Sequence, residues 1–236
     1  GLVYDTNTTM KYSNYGYGVL GAIVAAASGQ SFNDYVKANI IAPLSLKNTG
    51  PEYESSISSR LVSCYTRPDA DKKRLPLNSK LDTRALSAAT GFYSNAADLG
   101  QYFSAHFVGS GKLLADESKK EMQRTQWPVT NSLFNQEYGL GLQVDKVGSR
   151  RVIGHAGAFP GMATRTLADP GAKLVVSALT NCIEADPTGI CRAVYAFIDL
   201  MSDSDDSDLH KWEGRFVDVF CSKQILHLKK KIYLRC

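Results

Sequence analysis

The sequence predicts an α+β fold: a helical lobe over roughly residues 14–130 against an antiparallel sheet over roughly 137–181. Three observations predict it. Apolar residues recur at helical spacing through the first half, and from Glu137 the period changes to two. The strand candidates that follow are joined by connections too short for parallel crossovers, so they pair antiparallel.

Residues 1–13 read as a loop. Val19, Leu20, Ile23, Val24 and Ala27 then share one face of a helix expected from Asn14 to Ala27. Ser28-Gly29 stops it, since glycine enters the left-handed conformation of a helix end at little cost. Ser31, with Asp34 three residues on, restarts a helix through a variant of the capping box. Phe32, Tyr35, Val36 and Ile40 form its apolar face, and Pro43 ends it. Residues 52–84 keep no period and are rich in Ser, Arg, Asp and Lys, which predicts a long loop. Asn95 with Asp98 caps a helix bearing Leu99, Tyr102, Phe103 and His106 on one face, and another helix is expected over Glu117–Arg124.

In the second half, Tyr138, Leu140, Leu142 and Val144 point to one side of a strand. Arg150–Ala156, Gly161–Leu167 and Lys173–Thr180 are the next strands. The last two are joined by Asp169-Pro170-Gly171, where proline presets φ and glycine accepts a positive one. Ile190, Val194, Phe197, Ile198 and Met201 form a helical stripe able to cover the sheet. Three regions follow: a main domain over 1–202, a Ser/Asp-rich linker over 203–210, and a short strand-rich piece over 211–236 that stops abruptly.

Composition narrows the function classes. With 236 residues, 44% hydrophobic and 21% charged, the chain resembles an ordinary soluble protein that buries one sizeable core. No apolar run approaches the ~20 residues of a bilayer span, and no signal peptide opens the chain. The first residue is Gly1, not Met, so the natural N-terminus is expected elsewhere. The net charge of +4 is uneven, with five Lys/Arg and no acidic residue from Cys221 to Cys236. No aromatic-interleaved patch or recognition motif accompanies it, so this run reads as a solvated strand face. Neither nucleic acid nor a membrane is expected as a partner. Five cysteines (Cys64, Cys182, Cys191, Cys221 and Cys236) lack metal-ligand spacing, and their odd number argues against a closed disulfide framework. No metal or other cofactor is implied.

Two segments can carry chemistry. In Lys11-Tyr12-Ser13-Asn14, the Tyr12 phenol can act as general base if nearby cations lower its pKa from ~10. The Asn14 amide both donates and accepts, which suits holding a substrate carbonyl. The plain alternative is that Ser13 or Asn14 merely caps the helix. In Gly154-His155-Ala156-Gly157-Ala158-Phe159-Pro160-Gly161, glycines let a ligand approach the backbone, free N–H groups can bind an oxyanion, and His155 can carry a proton or donate to substrate. Here the alternative is a Gly-rich turn with an ordinary histidine. No G-x-S-x-G, H-E-x-x-H, P-loop or dinucleotide fingerprint accompanies them. His106 and His210 have no motif around them.

Taken in order, these segments resemble the serine β-lactamase-related family of class C β-lactamases, penicillin-binding proteins, D-amino-acid peptidases and esterases. The resemblance rests on Tyr12-Ser13-Asn14-Tyr15-Gly16-Tyr17-Gly18, Ser28-Gly29-Gln30-Ser31-Phe32, Ile41-Ala42-Pro43-Leu44, Gly91-Phe92-Tyr93-Ser94, Tyr138-Gly139-Leu140-Gly141 and His155-Ala156-Gly157. It covers about Met10 to Met201 and implies a β-lactamase/transpeptidase-like fold. Tyr12 would be the general base or proton relay and Asn14 would bind the substrate carbonyl. Gly157 would keep its strand open to substrate, and the Ala158 N–H would be one oxyanion donor. His155 stands where the lactamases carry Lys, which favours the peptidase and esterase branches.

The family's nucleophile lies upstream in an S-x-x-K motif, and no Ser in this chain is followed by Lys three residues on. The N-terminal strands and nucleophile segment are therefore expected to be missing. The tail from Trp212 to Phe216 resembles the opening of a C-terminal β-barrel, cut short. The implied function is a serine acyl hydrolase acting on a small-molecule or short-peptide amide or ester. The alternatives are a catalytically inactive scaffold and a surface-binding module using the basic tail.

Overall fold

The computed structural model describes residues 4–78, 80–129 and 136–202, together with the backbone of 214–217, 222–228 and 231–235. Two units divide the chain, Gly1–Cys191 and Arg192–Cys236.

Helix α1 spans Asn14–Ser28, one residue beyond the expected end. The Ser13 side chain caps it, and Gly29, at φ 69°, closes it by donating its N–H to Ala25 O. Ser31 starts α2 (Phe32–Val36). Its hydroxyl accepts from Asp34 N at 3.1 Å and donates to the Asp34 carboxylate at 2.6 Å, so the cap forms at the two predicted residues, closed from hydroxyl to carboxylate. The α-helix is shorter than expected, because residues Lys37–Ile41 form a π turn. Pro43 explains the change: lacking an N–H, it cannot bond back to Asn39, and the chain widens to Ala42→Lys37 and Leu46→Ile41 bonds, each 3.0 Å.

The long loop of 52–84 contains a small ladder, β1 (Cys64–Tyr65) against β2 (Pro76–Leu77), that its composition did not announce. Tyr65 N also donates to Asn181 O at 3.1 Å, tying this loop to the far end of the main sheet. Helix α3 (Ala96–Ala105) is capped by Asn95 Oδ1 accepting from Asp98 N at 2.8 Å, and α4 covers Asp116–Gln123.

The main sheet has the order β3-β4-β5-β6-β7-β8, antiparallel throughout: Trp127–Pro128, Glu137–Tyr138, Gln143–Val147, Arg150–Phe159, Met162–Asp169 and Leu174–Thr180. One expectation needs correcting. The alternating run from Tyr138 to Val144 is a hairpin rather than one strand, with Tyr138 opposite Gln143. Gly141 has φ 72° and Gly139 N donates to Leu142 O at 2.7 Å, so the chain reverses there and leaves Leu140 half exposed. A second correction concerns 154–161, which is strand as far as Phe159 and turns only at Pro160-Gly161. The Asp169 turn forms where expected, its Oδ1 accepting from Gly171 N and Ala172 N, but the positive φ falls on Lys173, at 54°, and not on Gly171.

The core lies where α3 meets the sheet. Phe103 and Phe107 pack with Leu142, Val144, Ile153 and Ala168, and apolar burial on this scale is the main term favouring the fold. Cys191, in the first turns of α5 (Pro187–Ser202), places its Sγ 3.4 Å from Arg165 O and so sits on the sheet. His106 is a packed residue of its helix end, buried, with Nδ1 3.0 Å from Tyr102 O.

In the second unit, β9 (Gly214–Val217), β10 (Ser222–Leu228) and β11 (Lys231–Arg235) form an antiparallel sheet with β10 central. The Ser/Asp stretch of 203–210, His210 and Trp212 lie outside the described residues. Among the described residues no helix is long and apolar enough to cross a membrane, and no three His, Cys, Asp or Glu side chains gather as a metal site.

Candidate active site

A cavity of about 540 Å³ opens between two walls, a helical one carrying Tyr12, Asn14 and Tyr17 and a sheet wall carrying Tyr138, Gly141 and His155. Its lining continues through Val24, Phe32, Ile40, Leu46 and Leu99 and includes the polar group Thr49, Ser94 and Asp98. That group is self-satisfied: the Asp98 carboxylate accepts from Asn48 N at 2.7 Å and from the Thr49 hydroxyl at 2.9 Å. Among the described lining residues there is no Lys or Arg.

Local folding explains the helical wall. Ser13 Oγ accepts from Gly16 N at 3.0 Å and holds the extended conformation of a cap, so the chain enters α1 at a fixed angle. Tyr12 is thereby set on the entering loop and Asn14 becomes the first helical residue. The capping alternative is met by Ser13; Asn14 lines the cavity.

On the sheet wall, the ring of His155 lies 6.2 Å from that of Tyr12, and the ring of Tyr138 lies 6.4 Å from Tyr12 in edge contact. The phenol of position 12 and the imidazole of position 155 thus share one cleft. Both ring nitrogens of His155 are engaged: Nδ1 is 2.5 Å from Ala156 O and Nε2 is 2.6 Å from the Tyr138 hydroxyl. Burial lowers the pKa of His155, and the nearby Arg165 guanidinium pushes the same way against the Ala156 hydrogen bond. Burial raises the pKa of Tyr138, as do the phenols of Tyr17 and Tyr12. Tyr17 is raised as well, first by burial and then by Tyr12.

The strand register places Ala158. β5 stops pairing with β6 at Gly154, so residues 155–159 have β7 on one side and, among the described residues, no strand on the other. Ala156 N donates towards the β5 side, to Gln143 Oε1 at 3.1 Å. Residues two apart in a strand send their N–H groups the same way, so the N–H of Ala158 is directed to the open edge. Two glycines permit this geometry. A Cβ at Gly154 would lie 1.9 Å from Thr166 O, a backbone contact that nothing can relieve, and one at Gly157 would lie 2.5 Å from Thr164 Oγ1. Glycine at 157 therefore leaves room for its cross-strand partner.

Three residues of this wall escaped the sequence reading. Tyr138 read as one of four residues on one side of a strand, and nothing linked its hydroxyl to His155. Gln143 and Arg165 carried no motif, yet Arg165 bonds Gln143 Oε1, the acceptor of Ala156 N, and its Nη2 lies 3.4 Å from the buried Asp145 carboxylate. Long-range pairings such as Gln143 with Gly154 are what could have revealed them.

Comparison with known proteins agrees with this architecture. The family model described as Beta-lactamase matches residues 1–193. Penicillin-binding protein 4* of Bacillus subtilis (strain 168) is 24% identical over 168 residues, which is 68% of this chain and 37% of that protein. The octameric penicillin-binding protein homologue from Pyrococcus abyssi superposes with a TM-score of 0.75 at 21% identity, over 98% of this chain and 56% of its own. A D-amino acid amidase from Ochrobactrum anthropi SV3, solved with L-phenylalanine amide, gives 0.67 at 23% identity, over 81% and 58%. The chain thus spans between about a third and three fifths of the length of these relatives. A helical lobe against an antiparallel sheet, with a cleft at their junction, is the β-lactamase/transpeptidase-like arrangement, and the chain belongs to the Beta-lactamase family.

Proposed function

We propose that this chain supplies most of the catalytic cleft of a serine acyl hydrolase that cleaves an amide or ester through an acyl-enzyme, on a serine outside these 236 residues. The observation carrying this reading is the meeting of Tyr12, Asn14 and His155 around one cavity, beside an open strand edge. Membership of the Beta-lactamase family supports it, as does the likeness of fold to a D-amino acid amidase.

In this reading the serine Oγ attacks the substrate carbonyl carbon, and Tyr12 receives the hydroxyl proton. Asn14 holds the substrate's amide or carbonyl. The Ala158 N–H donates to the oxyanion of the tetrahedral intermediate, a contribution of ~3 kcal/mol per donor. The C–N or C–O bond then breaks, with the proton passing from Tyr12 to the leaving group. Water repeats the sequence on the acyl-enzyme and frees the acid. The substrate is a small molecule or short peptide.

A fluorophosphonate probe applied to the protein extended upstream tests this. The expected result is a covalent label on a serine before residue 1, formed about 100-fold or more slowly in Tyr12→Phe. A folded extended protein that does not label would instead support a catalytically inactive scaffold, and undiminished labelling of Tyr12→Phe would remove the phenol from the mechanism.

A further inference from the structure

We propose that Tyr138 is a positioning residue that holds His155 as a neutral imidazole with its proton on Nδ1, so that the sheet wall discriminates against acyl groups presenting a carboxylate there. The inference rests on the acyl-transfer reading of the cleft.

The proton count follows from the two contacts. A carbonyl oxygen only accepts, so the Nδ1–Ala156 O contact of 2.5 Å requires the hydrogen on Nδ1. A neutral imidazole has no second hydrogen. Its Nε2 is a lone pair, and the 2.6 Å contact with Tyr138 is the phenol donating to it. The competing arrangement, an imidazolium donating from both nitrogens, would place a second cation near the buried Arg165 guanidinium. The groups facing His155 are the phenols of Tyr12 and Tyr138 and the charge of Arg165, with the Asp145 carboxylate already 3.4 Å from Arg165. No carboxylate among these contacts the imidazole to stabilise its charge, so the neutral form prevails.

The consequence lies in which electrons face the cleft. The Tyr138 hydrogen is spent on Nε2, which leaves phenolic lone pairs and no donor at that point. A substrate carboxylate brought to this wall meets acceptors, an arrangement that rejects by leaving charges unpaired. An uncharged or N–H-bearing group meets no such penalty. Tyr138 is fixed well enough for this role: it is 7% exposed, and its strand is hydrogen-bonded on both sides, to Trp127 and Gln143.

Two measurements test the proposal. The first is ¹⁵N-resolved histidine NMR of this chain. Expected are a protonated Nδ1 and a bare Nε2 for His155 at neutral pH, and in Tyr138→Phe a mixed tautomer with the titration moved up towards the ordinary value of about 6.5. A merely structural tyrosine would move neither. A proton on Nε2 in the parent chain overturns the proposal even if Tyr138→Phe fails to fold, and so does an unchanged tautomer in a folded variant.

The second is equilibrium binding of the uncharged diamide of glutamic acid against its α-amide with a free side-chain carboxylate, a pair that differs only in a charge away from the scissile carbonyl. The diamide is expected to bind at least about 10-fold tighter, and His155→Lys to shrink or invert that ratio. Equal binding, or a ratio indifferent to His155→Lys, overturns the selectivity. Binding of neither compound counts against the acyl-transfer reading of the cleft, while the NMR result still decides the role of Tyr138.

Discussion

The two walls of the cleft are built on opposite principles. The sheet wall is knitted from behind: Ile153, Val152 and Leu167 are wholly buried, and Arg165, Gln143 and Asp145 are bonded to one another beneath His155. The helical wall is held by little. Along α1 only Gly21 is buried, where a Cβ would lie 2.5 Å from Ala88 Cβ, while Tyr15 is 78% exposed and Val19, Leu20 and Ile23 are about half exposed. Both walls present aromatic hydroxyls to the same space, yet only the sheet side is pinned by packing as well as by hydrogen bonds. The difference teaches that position in the cleft and rigidity are separate properties. In these residues the sheet wall is preorganised, whereas the helical wall leans on one cap and on the close contacts of Gly18 and Gly21.

Substitutions can break or sharpen that contrast. Asp145→Ala should do most damage, about 4 kcal/mol, because it strips a buried guanidinium of its carboxylate. Denaturant titration monitored by circular dichroism reads it, and a loss below about 1 kcal/mol would mean the sheet wall does not rely on the pair. Ile153→Ala should cost about 3 kcal/mol by opening a cavity at the centre of the core. Its counterpart Ile23→Ala, on the exposed face of α1, should stay within about 0.5 kcal/mol. Similar losses for the two would erase the contrast.

Ser13→Ala, which removes the α1 cap, should cost about 1 kcal/mol while Ser13→Gly costs only a few tenths. Amide exchange should then speed up in the first turn of α1 and nowhere on the sheet.

The smallest effect is a pH response. His106 and His155 both titrate below their unfolded value because burial disfavours the cation. The unfolded chain therefore binds more protons as the pH falls below about 6.5, so their contribution is complete above that point and is lost as acidity approaches the folded pKa values. Urea midpoints should fall across that window, less so in His106→Gln and His155→Gln. A midpoint independent of pH there would place both imidazoles in water.

Much of this was legible in the sequence because the signals are local. Caps at Ser31 and Asn95, the stop at Gly29 and the Asp169 turn each follow from a few adjacent residues, and the structure places them where the pattern does. Reading failed where two rules competed. Alternating Tyr138, Leu140, Leu142 and Val144 obeyed the strand period, but Gly139 and Gly141 turned the run into a hairpin. In the site, Tyr12, Asn14 and His155 stood out because their neighbours formed motifs. The partners beneath them did not, since Tyr138, Gln143 and Arg165 meet His155 and Ala156 only through three pairings across four strands. Likewise nothing local announced that Lys119 would be buried with its ammonium 2.7 Å from Ser110 Oγ.

Because β6 outruns β5, half of one strand has, among the described residues, no strand partner on one side, beside the cleft. Grips made of main-chain atoms survive replacement of nearly any residue along them. In the proposed reading, side chains at 156 and 158 can therefore drift without erasing that handhold, and changes of selectivity come from the aromatic rim around it.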